Sequence, residues 1–295
     1  MRLGIRRSYL FVPSVSVKMM EKAVASDSDC VIFDLEDAVA INEKEAARER
    51  IKQFLNNNKP PKEVFIRIND MLTSFWRADL ETAIETRAAG IIVPKAENAA
   101  NMIRLCEVAE QIMERKNQDE MDQFKVLPLI ETAAGVHFAY EIAASHQRIP
   151  CLVFGSIDYS LDVDCELTEG GEELFYARSQ IVNASRAAGK GSPVDAVYPD
   201  LANEKGLKLE ALRAKQLGFK AKLAIHPKQL AAIHEVFTPS QKELDNAMEI
   251  VSAFEEAEQQ GVASISVGKK LVDYPVYKKA KGLLQYSVSE GVESQ

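Results

Sequence analysis

The chain has few of the residues that staple, anchor or metallate a protein. Only four cysteines occur in 295 residues. Cys30, Cys106, Cys151 and Cys165 lie far apart and form no CxxC pair, which argues against a disulfide framework and points to a reduced, cytoplasmic compartment. Histidines also number four. His137, His146, His226 and His234 make no HxH or HExxH spacing, so zinc is unsupported and a Ser–His–Asp triad has little to draw on. Positive charge is short as well: 36 Lys and Arg stand against 44 Asp and Glu, a net charge of -8. Nucleic-acid binding needs clustered Lys and Arg, so that class is excluded. No apolar run approaches the ~20 residues of a membrane span. The opening MRLGIRRSYLFVP offers too short an apolar stretch for a signal peptide. Repeats and low-complexity tracts are missing. What remains is an ordinary globular balance, 46% hydrophobic and 27% charged, long enough for one large domain or two small ones.

Short runs rich in Val, Ile and Leu recur at 9–12, 30–35, 63–68, 90–94, 125–130, 151–155, 194–198 and 221–225. Several are apolar on both parities, as buried parallel strands are. Amphipathic stretches separate them, and eight such units predict a (β/α)8 barrel of the α/β class. A doubly wound open sheet would show the same alternation. The count of eight, and the lack of a glycine-rich phosphate fingerprint after the first run, favour the barrel. Helices are expected over 42–55, where Asn42 and Glu45 have capping-box spacing, and over 73–89 and 99–115. A polar loop is expected at 116–123. Beyond about 237 the pattern changes. Ser240 and Glu243 repeat the capping-box spacing, Leu244, Met248, Val251 and Phe254 share one helix face, and Gly261 ends it. A β-prone stretch at 264–274 and a helix over 275–284 follow. The chain thus divides into a barrel, 1–237, and an arm, 238–295, expected to pack on the barrel or on a neighbouring subunit.

Active sites of such barrels lie at the C-terminal ends of the strands. The runs close in Asp34-Leu35-Glu36-Asp37, Arg67-Ile68-Asn69, Pro94-Lys95, Glu131-Thr132, Gly155-Ser156-Ile157-Asp158, Tyr198-Pro199-Asp200 and His226-Pro227. Any one of these, taken alone, is an ordinary solvated strand end; together they mark a site. Glu131 and Asp158 end adjacent strands, and two carboxylates completed by water and substrate oxygens suit Mg2+. Arg67 can grip a carboxylate with its fork or steady an enolate oxygen, or can pair structurally with Glu36 or Asp37. The cysteines and Trp76 read as structural. Lys95 as a Schiff-base lysine has no supporting context.

The pieces RSYLFVP, FDLEDAV, IRIN, VPKAE, LIETAAG, FGSIDYSLD, AIHPKQ, EVFTPS and GKKLVDYP run through nearly the whole chain. In this order they resemble the citrate lyase β-subunit-like family of the HpcH/HpaI aldolase superfamily. The resemblance implies a phosphoenolpyruvate-binding type of barrel, a Mg2+ ion, and C–C cleavage or formation in a 3-hydroxyacyl thioester. It implies Glu131 and Asp158 as metal ligands and Arg67 as the group that grips substrate and stabilises the enolate. Glu36 and Asp37 would hold Arg67 and a metal-bound water. In the malyl-CoA lyase branch, Phe11, Lys22, Ile225 and His226 match coenzyme A contacts, while Ser16 stands where that branch has arginine. Asp273 matches an acid/base delivered by the arm to a neighbouring subunit's site, which implies a homotrimer or hexamer. AIHPKQ, EVFTPS and TSFW favour free CoA thioesters over acyl-carrier-protein thioesters, with a 2-oxo acid as the other product. A malate synthase-like thioester hydrolase, an aldolase on free hydroxy-oxo acids and a non-catalytic scaffold subunit of a lyase complex remain as alternatives.

Overall fold

The computed structural model describes residues 6–116, 123–268 and 270–288. Most of the polar loop expected at 116–123, and the first five residues, lie outside them. Eight strands, β1 (Ser8–Pro13), β2 (Cys30–Asp34), β3 (Glu63–Arg67), β4 (Gly90–Val93), β5 (Lys125–Ile130), β6 (Val153–Phe154), β7 (Val194–Asp195) and β8 (Ala221–Ala224), pair in sequence order. Parallel pairing of β8 with β1 closes the barrel. The chain can close this tightly between β4 and β5 because residue 90 is glycine: a Cβ there would meet the Lys125 carbonyl oxygen at 2.1 Å.

Strand side chains alternate between two cores. Tyr9, Ile32, Phe65, Ile92, Leu127, Leu129, Val153, Val194 and Leu223 belong to one buried cluster inside the barrel. Leu10, Val31, Phe33, Ile66, Ile91, Val126, Ile130 and Phe154 face outward and join the helix-facing core. The covering helices are α1 (Val17–Val24), α2 (Lys44–Asn57), α3 (Trp76–Glu85), α4 (Ala99–Arg115), α5 (Ala133–His137), α6 (Ala139–Ala144), α7 (Ser156–Asp162), α8 (Phe175–Ala187), α9 (Glu204–Leu217) and α10 (Leu230–Phe237).

Several boundaries differ from expectation. The sixth and seventh strands shrink to two residues each: β6 keeps only the middle of its run, and β7 starts at Val194 as expected but ends at Asp195. The helix expected from 73 begins at Trp76, because Asp70 first turns the chain by accepting the Leu72 and Thr73 amides. The capping box expected at Asn42–Glu45 does not form. A single tight turn over Ile41–Glu43 precedes α2, whose N-cap is Glu43 without a side-chain bond. Lys44 explains the difference: its ammonium is drawn inward onto the Leu35 and Glu36 carbonyls, at 2.7 and 2.6 Å.

A second compact unit begins at Thr238. Its helix α11 (Gln241–Gln259) carries the expected capping box of Ser240 and Glu243. An antiparallel hairpin, β9 (Ile265–Val267) and β10 (Lys270–Val272), and helix α12 (Tyr274–Val288) follow. Its core holds Ala247, Ile250, Phe254, Val272 and Ala280, with Phe254 stacked on Tyr277 at 4.7 Å. Met248 is exposed rather than facing inward, because the buried stripe of α11 runs through Leu244, Ala247, Ile250 and Phe254.

Candidate active site

Inward parity carries the barrel core up to its mouth. Two residues beyond Tyr9, Ile32, Phe65 and Leu129 stand Phe11, Asp34, Arg67 and Glu131, so the uppermost inward layer is polar. Asp34 and Arg67 are register partners on β2 and β3. Arg67 Nε and Nη2 donate to the two Asp34 carboxylate oxygens, each at 2.7 Å. Glu36 Oε2 lies 2.8 Å from Arg67 Nη1, and Asp37 is more remote at 3.9 Å. The Phe11 ring lies against the guanidinium, 4.9 Å from centroid to Cζ. Burial opposes the charge on Arg67, but hydrogen bonding and charge from Asp34, then Glu36 and Glu131, raise its pKa overall.

The expected pairing of Arg67 with Glu36 is present, with Asp37 further off, and Asp34 adds a partner that was not expected. Asp34 is its main partner, and it occupies the side-on fork of the guanidinium. What remains for a ligand is the outer edge, with hydrogens on Nη1 and Nη2. The loop carrying Asp34 and Glu36 is itself pinned. Asp34 accepts the Glu36 and Ala38 amides, Lys44 holds two carbonyls, and Asn69 donates to Leu35 O while bound to buried Asp79.

Glu131, 2% exposed, stands at the end of β5. Its Oε1 accepts the Lys95 amide at 2.9 Å. Its Oε2 lies under Gly155, where a Cβ would come within 2.6 Å. Burial, then the charges of Glu36 and Asp158, push the Glu131 carboxyl up to about 8. Glu36 rises to about 7, chiefly through burial against the counter-charge of Arg67. Its Oε2 is buried without an aligned hydrogen bond. Asp158, half-buried, lies in the first turn of α7, just beyond Ser156 and Ile157. Among the described residues no three His, Cys, Asp or Glu side chains form a ready-made metal cage. Two adjacent carboxylates with repelling charge, one of them under a glycine clearance, fit instead a hard cation that takes its other ligands from water and substrate.

The other expected site residues stand on other elements. Ile225 is exposed just past β8, and Gln229 fixes it by accepting the Ile225 amide and donating to the Tyr198 carbonyl. His226 Nδ1 accepts the Lys228 amide and so caps the following turn. Lys22 is exposed in the last turn of α1. Asp273 belongs to the second unit, where its carboxylate accepts the Val276 amide at the start of α12. All four cysteines are free thiols, Trp76 is buried, and among the described residues no helix is long and apolar enough to cross a membrane. Asp34 heads the residues that close the second run, but the sequence alone assigns it no role. Its signal was present in the sequence, two residues beyond Ile32 on the same parity.

A closed parallel barrel whose mouth joins a fixed arginine to buried acids defines an α/β-barrel enzyme. Comparison with known proteins narrows this class. The model of the family HpcH/HpaI aldolase/citrate lyase matches residues 7–227. The citrate lyase subunit beta of Haemophilus influenzae is 34% identical over 288 residues, 97% of this chain and 98% of the relative. An L-malyl-CoA/beta-methylmalyl-CoA lyase of Cereibacter sphaeroides is 33% identical over 300 residues, 95% of this chain and 93% of the relative. The crystal structure of protein CitE from Mycobacterium tuberculosis, in complex with magnesium, acetoacetate and coenzyme A, superposes with a TM-score of 0.79. It is 28% identical and covers 98% of this chain and 100% of its own. The chain belongs to the HpcH/HpaI aldolase/citrate lyase family, and its class is that of a carbon–carbon lyase.

Proposed function

We propose that the protein is a Mg2+-dependent lyase that splits a 3-hydroxyacyl-CoA thioester of malyl, citramalyl or citryl type. Its products are a 2-oxo acid (glyoxylate, pyruvate or oxaloacetate) and acetyl-CoA or a similar acyl-CoA. The observation that carries this reading is the carboxylate pair, Glu131 and Asp158, set at the mouth together with an immobilised Arg67. Glu131 and Asp158 would hold the metal, and their oxygen chemistry suits Mg2+. When bound, Mg2+ supplies Lewis acidity and a template for the substrate's hydroxyl and carboxylate.

The protein's own groups do the rest. Arg67 donates from the outer edge of its guanidinium, beside Glu36, to the thioester oxygen as enolate charge develops there. A preorganised donor of this kind is worth about 3–4 kcal/mol of barrier. Asp34 and the Phe11 ring keep that donor from swinging away. Glu36, with its carboxyl near 7 and Oε2 without a hydrogen bond, takes up the proton of the substrate hydroxyl at neutral pH. Asp37 assists at the solvent side. Asp273 supplies the proton that quenches the enolate carbon, delivered by the second unit of a neighbouring copy, so the working form is a homo-oligomer, a trimer or hexamer. Lys22, Ile225, His226 and the outer edge of Phe11 receive coenzyme A.

A second reading is favoured by the 34% identity to a citrate lyase subunit beta: the same chemistry on a citryl group carried by an acyl carrier protein. The experiment for the site titrates Mg2+ against turnover in wild type, Glu131→Ala and Asp158→Ala. Both variants are expected to keep the wild-type circular dichroism and lose Mg2+-dependent cleavage by at least 100-fold. Full turnover in both would refute the metal assignment.

A further inference from the structure

Among the described residues, three other than glycine have positive φ: Arg87, Lys95 and Asp164. Two have a local reason. Arg87 follows α3 and Asp164 follows α7, where the Ala88 and Cys165 amides reach back to the Ala83 and Ser160 carbonyls. That is the usual left-handed close of a helix. Lys95 follows a strand, at φ 48, so no helix end explains it. Its backbone conformation aims the Lys95 amide at Glu131 Oε1 and the next amide, of Ala96, at Leu129 O, 3.1 Å away. Those two bonds need only the backbone, and glycine would make them without strain. A lysine in their place bears a conformational cost, and such strain at a site points to a use for the side chain.

The Lys95 side chain is exposed at the mouth. Its ammonium makes no hydrogen bond or ion pair among the described residues, yet it lies within electrostatic reach of Glu36, Asp70, Glu131 and Asp37. Arg67, by contrast, has its side-on fork filled by Asp34 and a third contact to Glu36. A substrate bringing its own carboxylate into this acidic mouth therefore needs a second, uncommitted cation. We propose that Lys95 is a substrate-binding residue whose ammonium receives the carboxylate of the 2-oxo acid half of the substrate. This rests on the lyase reading above and adds to it the group that recognises the acid product.

The test uses the full chain and three variants, Lys95→Gly, Lys95→Met and Lys95→Arg. Binding of pyruvate and of oxaloacetate with Mg2+ present is measured by calorimetry, kcat and KM are measured on the CoA thioester that wild type cleaves, and thermal midpoints are compared. Lys95→Gly is expected to melt no lower than Lys95→Met, because the strain is gone. Both are expected to bind the 2-oxo acid at least 10-fold more weakly and to raise KM more than they lower kcat, while Lys95→Arg recovers most of the binding. A structural lysine would not give that split or that recovery. Wild-type binding and KM in Lys95→Met overturns the assignment, whatever Lys95→Gly does. A wild type that cleaves no thioester and binds no 2-oxo acid overturns the lyase reading itself, which separates the two failures.

Discussion

At the residue scale, the organising contact is the side-on pair between Asp34 and Arg67. Two charge-assisted bonds of 2.7 Å hold the guanidinium in one orientation, which an ammonium or a neutral amide cannot reproduce. Asp34→Asn should therefore leave the fold in place and lower kcat by about 100-fold or more, the usual effect of misplacing one electrostatic donor. Steady-state kinetics on the cleaved thioester, with a crystal structure of the variant, would check this. Gly155→Ala makes a separate point. The added Cβ would meet Glu131 Oε2 at 2.6 Å and force that carboxylate aside. Mg2+ affinity should fall at least 10-fold, readable by calorimetry. The sequence made Arg67, Glu131 and Asp158 visible because each closes an apolar run. Asp34 was harder to see: it continues the inward parity of a run that reads on to Leu35, with Glu36 and Asp37 just beyond. The left-handed Lys95 was invisible, since its conformation follows from a contact with Glu131, 36 positions away.

At the scale of elements, the loop after β2 is the part most heavily supported. Lys44 from α2, Asn69 after β3 and Asp79 from α3 all converge on it. Here propensity gave way to tertiary contact, for the capping-box spacing at Asn42 predicted a helix start that Lys44 displaced. The strands show the opposite case. The run at 125–130, apolar on both parities after Lys125, matches its strand residue for residue with Pro128 inside it. The two-residue strand β6 stops at Gly155 and β7 starts directly after Pro193, features that the apolar pattern does not weigh. The hairpin and last helix of the second unit form an element with its own test. A chain ending before residue 262 loses Asp273 but keeps every barrel strand. It should bind CoA in a fluorescence or calorimetric titration while turnover drops to background. Undiminished turnover would mean that Asp273 is not the acid.

At the scale of the whole molecule, two charge systems have different tasks. One is the acidic mouth. The other lies outside the interior core, where Asp195 of β7, buried completely, joins Arg178 of α8 and Lys222 of β8 at 2.8 and 2.7 Å, with Glu210 completing the group. Burial opposes the charge of Asp195, but Arg178 and Lys222 outweigh it and hold the folded pKa below the usual carboxylate value. Its contribution to stability is then full at pH values above the unfolded carboxylate pKa of about 4, and it is lost as pH falls below that toward the folded value. Urea midpoints should therefore drop steeply below about pH 4. Asp195→Asn, which leaves two buried cations with Glu210 as their counter-charge, should cost about 3 kcal/mol at pH 7 and flatten that acid dependence.

The central claim is chemical: this barrel breaks a C–C bond in an acyl thioester with a divalent cation at Glu131 and Asp158. The most direct measurement incubates the purified protein and Mg2+ with malyl-, citramalyl- and citryl-CoA and traps the released 2-oxo acid as its phenylhydrazone. Hydrazone is expected to form from at least one of them, in step with free acyl-CoA, to be abolished by EDTA and to be restored by Mg2+. Absence of any 2-oxo acid from all three, or release that continues unchanged in EDTA, would contradict the claim.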